Sequence, residues 1–233
     1  MPKPREAARQ TAVFAHPGAP VVPPSSSAEK VAAILRGKVV DGALLPGVRL
    51  SEESLGQALG VSRNTLREAF RLLAHDQLVI HKLNRGVFVR TLSAGDIRDL
   101  YSLRRILEGA AVRQADPAHL SPVRAAVHSG EVAAEEQRWP AVATADLQFH
   151  QHLVGLCASP RLDDLMHRAM AELRLGFHRM HAAPAFHGPY LHRNRQILTL
   201  LERGERETAE KELMVYLDDA ERELLTSTPS PSP

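Results

Sequence analysis

The sequence predicts a mainly α protein in two parts: an N-terminal winged helix-turn-helix and a C-terminal all-α antiparallel helical bundle. Three observations carry that prediction. Apolar residues recur at helical spacing through most of the chain from Ala28 onward. Two runs rich in β-branched residues, 78–82 and 86–90, are joined by Leu83-Asn84-Arg85. Charge is divided unevenly, with 13 Lys and Arg against 7 acids in residues 1–91 and 16 against 20 in the remainder. A basic front and an acidic back suit a nucleic-acid reader joined to a domain that does not touch nucleic acid.

Residues 1–25 contain Pro2, Pro4, Pro17, Pro20, Pro23 and Pro24 without apolar periodicity, so a disordered arm is expected there. The winged domain spans 26–91. Its first helix, 28–40, lines up Val31, Ile34, Leu35 and Val39 and is closed by Asp41-Gly42 and the turn Pro46-Gly47. Ser51 caps a short helix with Leu55 and Leu59 on one face. Ser62 caps the next, in which Leu66, Ala69, Phe70 and Leu73 pack inward. That packing leaves Arg63, Asn64, Thr65, Arg67 and Arg71 on the end that would enter a major groove. The Asn84 and Gly86 pair supplies what a tight hairpin requires, which completes the wing.

The second domain spans 92–226. Ser93 and Asp96 open a helix through Leu100, Leu103, Ile106, Leu107 and Ala110, broken by Asp116-Pro117. A second helix covers 120–136 and ends near Trp139-Pro140, and a third covers 143–158. Pro160 starts a fourth, from Leu162 through Met166, Met170, Leu173 and Phe177 to Met180, stopped before Pro184. His187-Gly188-Pro189 precedes a fifth, ended by Arg203-Gly204, and the last runs over 205–225. Short connections of this kind suit an antiparallel bundle. Prolines in 227–233 forbid further helix, so a disordered tail is expected.

The chain carries one cysteine, Cys157, which rules out an intrachain disulfide framework and fits a reducing compartment. No apolar run approaches the roughly 20 residues of a membrane span, and the first residues lack a signal-peptide core. The expectation is a cytoplasmic protein without a membrane partner.

At these residues a family resemblance enters. Pro46-Gly47, Leu50-Ser51-Glu52, Gly60-Val61-Ser62-Arg63, Arg67-Glu68-Ala69 and Asn84-Arg85-Gly86 together resemble the DNA-binding domain of GntR-type bacterial transcriptional regulators. The resemblance implies that Ser62, Arg63 and Arg67 contact phosphates or base edges of a double-stranded operator, with Asn64 and Thr65 beside them. It also implies that Arg85 and Gly86 enter the minor groove. Glu53 stands where many members carry a basic residue, so that phosphate contact is either missing or made by Arg49.

The bundle resembles the FCD effector-binding domain of the FadR-like, fatty-acid-responsive branch of those regulators. Arg104 and Glu108 match an Arg four residues before a Glu, and Asp146-Leu147-Gln148-Phe149-His150 matches an Asp-x-x-Phe-His box. A separation of four turns a helix by about 400°, so the Asp146 carboxylate and the His150 imidazole share a face. The resemblance implies two further histidine ligands for a metal, but Asn194 and Tyr216 stand at those positions. An amide offers only a carbonyl oxygen, and neutral tyrosine is a poor ligand. The expectation is a pocket free of metal, or one holding a divalent ion such as Zn weakly through Asp146 and His150. Arg104, Asp146, His150, Asn194 and Tyr216 would then meet a small, anionic effector directly, with the planar Arg104 fork on a carboxylate. Spacing alone leaves blander readings open. Arg104 and Glu108 also fit a surface i,i+4 pair, and His167, His178, His181 and His187 fit exposed faces or loops.

The function so implied is that of a homodimeric, sequence-specific transcriptional regulator, more often a repressor, whose operator affinity an organic acid controls. It is not expected to be an enzyme. Two alternatives are a metal-dependent enzyme using Asp146 and His150, and an effector-independent DNA-architectural protein. The first lacks any Ser-His-Asp order or phosphate-binding glycine loop.

Overall fold

The computed structural model describes residues 26–40, 42–178 and 183–226. The expected arm and tail, Asp41, Met180 and His181 lie outside the described residues. Elements run α1 (Ser27–Val40), β1 (Arg49–Leu50), α2 (Glu52–Leu59), α3 (Arg63–His75), β2 (Val79–Lys82), β3 (Gly86–Val89) and α4 (Ala94–Gln114). A short 3-10 turn, Pro117–His119, leads to α5 (Ser121–Glu135), α6 (Trp139–Gly155), α7 (Pro160–Phe177), α8 (Ala183–Glu202) and α9 (Arg206–Thr226).

In the winged domain α1 packs on α3 through Val31, Leu35 and Val39 against Leu66, Ala69, Phe70 and Leu73, all buried. Ile34, expected on that face, is 49% exposed, because it sits at the edge of the stripe. The wing pairs β2 with β3 in antiparallel register from Val79↔Val89 to Lys82↔Gly86. Asn84 (φ 56) and Gly86 (φ 98) take the left-handed conformations of the turn. A third strand, β1, pairs with β3 at Arg49↔Phe88 and Leu50↔Val87. Two residues are too few to show alternation in a sequence, so tertiary pairing alone defines β1.

Behind the wing, Ser93 and Asp96 form a full capping box that opens α4. Helix α6 is the central rod of the bundle, packed against α4, α5, α7 and α8. Two boundaries differ from expectation. Trp139-Pro140 opens α6 instead of ending α5, since proline in the first turn gives up only an N–H without a helical partner. Helix α8 likewise already contains His187, Gly188 and Pro189. Pro189 and Ala185, whose carbonyl loses its donor, are both exposed, so solvent can serve that carbonyl.

The two halves meet at named contacts. Arg174 Nε, in the last turn of α7, donates to the Val40 carbonyl at 2.9 Å, and His178 Nε2 donates to that of Val39 at 2.9 Å. These side chains close the carbonyl end of α1 from the other domain. Arg90, just past β3, donates to Asp96 at 2.5 Å and to Glu172 of α7 at 2.9 Å. A cleft of about 230 Å³ lies there, lined in part by His75, Arg90, Asp96, Asp99 and Glu172.

Candidate DNA-reading face and buried polar site

The reading face begins at Ser62, whose Oγ accepts the Thr65 N–H at 3.1 Å and lies 2.9 Å from Thr65 Oγ1. The cap fixes where α3 starts. Arg63, Asn64 and Arg67 stand exposed beyond it, as do Ser62, Arg49, Arg85 and Gly86. Thr65 departs from the expected role, being half-buried with its hydroxyl turned onto Ser62. Arg67 is 61% exposed and its Nε donates to both oxygens of Glu52, at 3.2 and 3.1 Å. Arg71 pairs with Glu68 one turn back along the helix. Arg49 lies against the wing tip, so close that a Cβ on Gly86 would meet its Nε at 3.3 Å. Strand β1 therefore carries a cation to the wing, and Glu53 remains exposed without replacing it.

The second constellation is built inside the bundle. Arg104 and Glu108, one turn apart on α4, are buried to 2% and 0% exposure and joined at 2.7 Å. The surface-pair reading of these residues is thereby corrected: burial of this face of α4 by α6 and α9 puts the ion pair in the core. The other Glu108 oxygen meets His150 Nδ1 at 2.6 Å, and His150 Nε2 meets the Tyr216 hydroxyl at 3.0 Å. Tyr216 donates to Asp146 Oδ1 at 2.9 Å, and Asn194 Nδ2 donates to the same oxygen at 2.8 Å. All five residues expected at the effector site thus fall into one network that also includes Glu108.

His150 reaches the Glu108 carboxylate through Nδ1, and the single Tyr216 hydrogen lies between Asp146 Oδ1 and His150 Nε2. Burial alone would push the Glu108 carboxyl up, but Arg104 and His150 overcome it and hold it below the usual range. Burial, with Asp146 adding to it, pushes the Tyr216 hydroxyl well up, so it stays a neutral donor.

Tested against the metal that the FCD resemblance implies, these residues do not fit. The Tyr216 oxygen lies 2.9 Å from Asp146 and 3.0 Å from His150, between the two groups that would have to share a cation. The ligand nitrogen His150 Nε2 is already hydrogen-bonded. Among the described residues, no group of three or more His, Cys, Asp or Glu side chains is placed to hold a metal ion.

One buried histidine departs from the sequence reading. His187, expected in a loop, is only 4% exposed on α8, edge-on to Phe177 and Phe186 with ring centroids 5.2 and 4.9 Å away. Burial pushes its imidazole below the usual range, against an opposing pull from Asp146. The available signal was its spacing of seven from Asn194, two helical turns on one face. His178 also leaves the exposed class by binding the Val39 carbonyl.

Comparison with known proteins bears on both constellations. Residues 27–89 match the model for bacterial regulatory proteins of the gntR family, and residues 99–219 match that of the FCD domain. The chain belongs to the GntR family. It is a DNA-binding transcriptional regulator with an FCD effector-binding domain. A solved structure of a GntR regulator described as putative, from Rhodococcus sp. RHA1, is 46% identical with a TM-score of 0.85, covering 88% of this chain and all (100%) of that one. The Nta operon transcriptional regulator of Aminobacter aminovorans is 36% identical over 125 residues, 50% of this chain and 57% of that protein. The gluconate operon transcriptional repressor of Bacillus licheniformis is 33% identical over 85 residues, 36% of this chain and 34% of that protein. No helix among the described residues is long and apolar enough to cross a membrane.

Proposed function

We propose that this GntR regulator is a homodimeric repressor that releases its operator when a small organic acid occupies the buried polar site. The observation that carries the proposal is the division of labour between the two constellations. Arg63, Asn64 and Arg67 project from a capped helix and are open to a duplex, whereas Arg104 is closed inside the bundle. Arg104 meets Glu108 through Nε, and its Nη2 has no hydrogen-bond partner. A guanidinium edge of that kind suits an acid's oxygens. The sign of regulation draws on the relative named as a gluconate operon repressor. An effector that prefers a domain arrangement with misplaced reading helices must lower operator affinity by the same coupling factor. Arg174 and His178, which tie α7 to the end of α1, are the contacts through which the arrangement would change.

The effector site is read as metal-free, with the Tyr216 hydroxyl standing where a cation would bridge Asp146 and His150. The enzymatic reading gains nothing from the geometry, because both residues are spent on buried hydrogen bonds.

Selection of bound duplexes from a random pool tests the DNA reading. An inverted repeat should emerge with the wild type and be lost with Arg63→Ala, while light scattering reports a dimer. A pool without enrichment would sink the regulator reading, and a monomer would sink the dimer. For the metal, titration with zinc sulfate should give no stoichiometric site in the wild type. The double variant Asn194→His with Tyr216→His, which restores the nitrogen donors, should gain one. Stoichiometric zinc in the wild type, abolished by Asp146→Asn, would overturn the metal-free reading.

A further inference from the structure

Among the described residues around the buried network, Arg104 Nη2, Asn194 Oδ1 and His187 Nδ1 carry no hydrogen-bond partner. Their residues are 2%, 2% and 4% exposed. Native proteins leave few such atoms, since each unmade buried bond costs about 1–3 kcal/mol. Asn194 holds the Asp146 oxygen that Tyr216 also holds, Arg104 is linked to Tyr216 through Glu108 and His150, and His187 stands two turns before Asn194 on the same face of α8.

What these atoms demand is specific. A guanidinium N–H only donates, so Arg104 Nη2 requires an acceptor. Asn194 has its orientation set by chemistry, because only its N–H can face the Asp146 carboxylate. Its Oδ1 therefore requires a donor. His187 Nδ1 takes either role, according to which nitrogen holds the hydrogen. A bare carboxylate answers Arg104 and leaves Asn194 unmet, and a simple alcohol or amine lacks the charge that Arg104 prefers.

We propose that the site takes a small carboxylic acid with a hydrogen-bond donor, hydroxyl or amino, on the carbon beside the carboxylate. Arg104 Nη2 meets the carboxylate, Asn194 Oδ1 accepts from the donor, and His187 Nδ1 is the third contact. This inference rests on the acid-effector reading above and adds to it the residue that discriminates among acids. Phe177 and Phe186, edge-on to His187, give the remainder of the ligand an apolar wall.

Isothermal titration of the full chain tests the inference with two matched sets of probes: lactate, alanine and propionate, then mandelate, phenylglycine and phenylacetate. Within at least one set, the hydroxy or the amino acid should bind about ten-fold or more tightly than the unsubstituted acid. Whichever of the two wins identifies the donor. Asn194→Leu should bring the ratio between the donor-bearing and the unsubstituted acid close to one. His187→Phe keeps the ring packing and should weaken the donor-bearing acid alone. The wild-type comparison stands even if a variant fails to fold. Equal binding by all members of each set overturns this inference while sparing the acid reading. Silence from all six probes overturns both.

Discussion

Arg67 and Arg104 each face a glutamate, and the two pairs behave in opposite ways. On the reading helix, Arg67 and Glu52 lie 3.1 Å apart at 61% and 33% exposure, while Arg104 and Glu108 lie 2.7 Å apart at 2% and 0%. An exposed pair is worth about 0–1 kcal/mol, so a phosphate or a base edge can take the arginine from its glutamate at small cost. A buried pair has lost its water, and neither member can be removed without stranding the other. Identical chemistry thus yields a detachable contact in one domain and a fixed scaffold in the other.

The largest expected effect breaks the buried side. Glu108→Leu leaves Arg104 and His150 without their shared anion and should destabilise the fold by about 3–5 kcal/mol in urea unfolding. A change below about 1 kcal/mol would mean that the pair is solvated. On the exposed side, Arg67→Ala should weaken operator binding by about 1–3 kcal/mol in fluorescence anisotropy, with unfolding unchanged to within about 0.5 kcal/mol. Tyr216→Phe comes next. Losing one hydroxyl that serves Asp146 and His150 should cost about 1–2 kcal/mol of stability without altering operator affinity in the absence of effector. Glu52→Gln is the mildest, a change within about 1 kcal/mol in operator affinity, and a large loss would give Glu52 an unforeseen part in DNA reading.

Acidity sharpens the same contrast between two carboxylates. Glu108 is held below its ordinary range, so its contribution to stability is present at neutral pH and disappears as pH falls through the lowered value. Glu172, at the junction of the domains, is pushed up to about 7 by burial, with Asp96 and Asp99 adding to it against Arg90. The native state there holds a proton that the unfolded chain releases near 4.5, so stability should decline as pH rises from about 4.5 to 7. Glu172→Gln should flatten that decline in pH-dependent thermal melts, and an unchanged slope would place the titration elsewhere.

The reading helix was legible because its information is local. Ser62 as cap, the inward stripe from Leu66 to Leu73 and the Asn84 and Gly86 turn all depend on neighbours in sequence. The five residues Arg104, Asp146, His150, Asn194 and Tyr216 were legible only through resemblance, since helical spacing cannot say which face is buried. His187 and β1 were not legible at all. One is buried by Phe177 and Phe186, and the other exists only because β3 runs beside it.

Order along the chain was therefore enough to place the helices to within their boundaries at Trp139 and His187, the β2–β3 hairpin and the exposure of Arg63 and Arg67, because periodicity, caps and turns act over a few residues. Only the packed bundle decided that Glu108 is shared by Arg104 and His150, and that Tyr216 bridges Asp146 and His150. Apart from the Arg104–Glu108 pair within α4, those contacts join residues 42 to 70 apart in sequence, and no short-range rule specifies what burial removes from water.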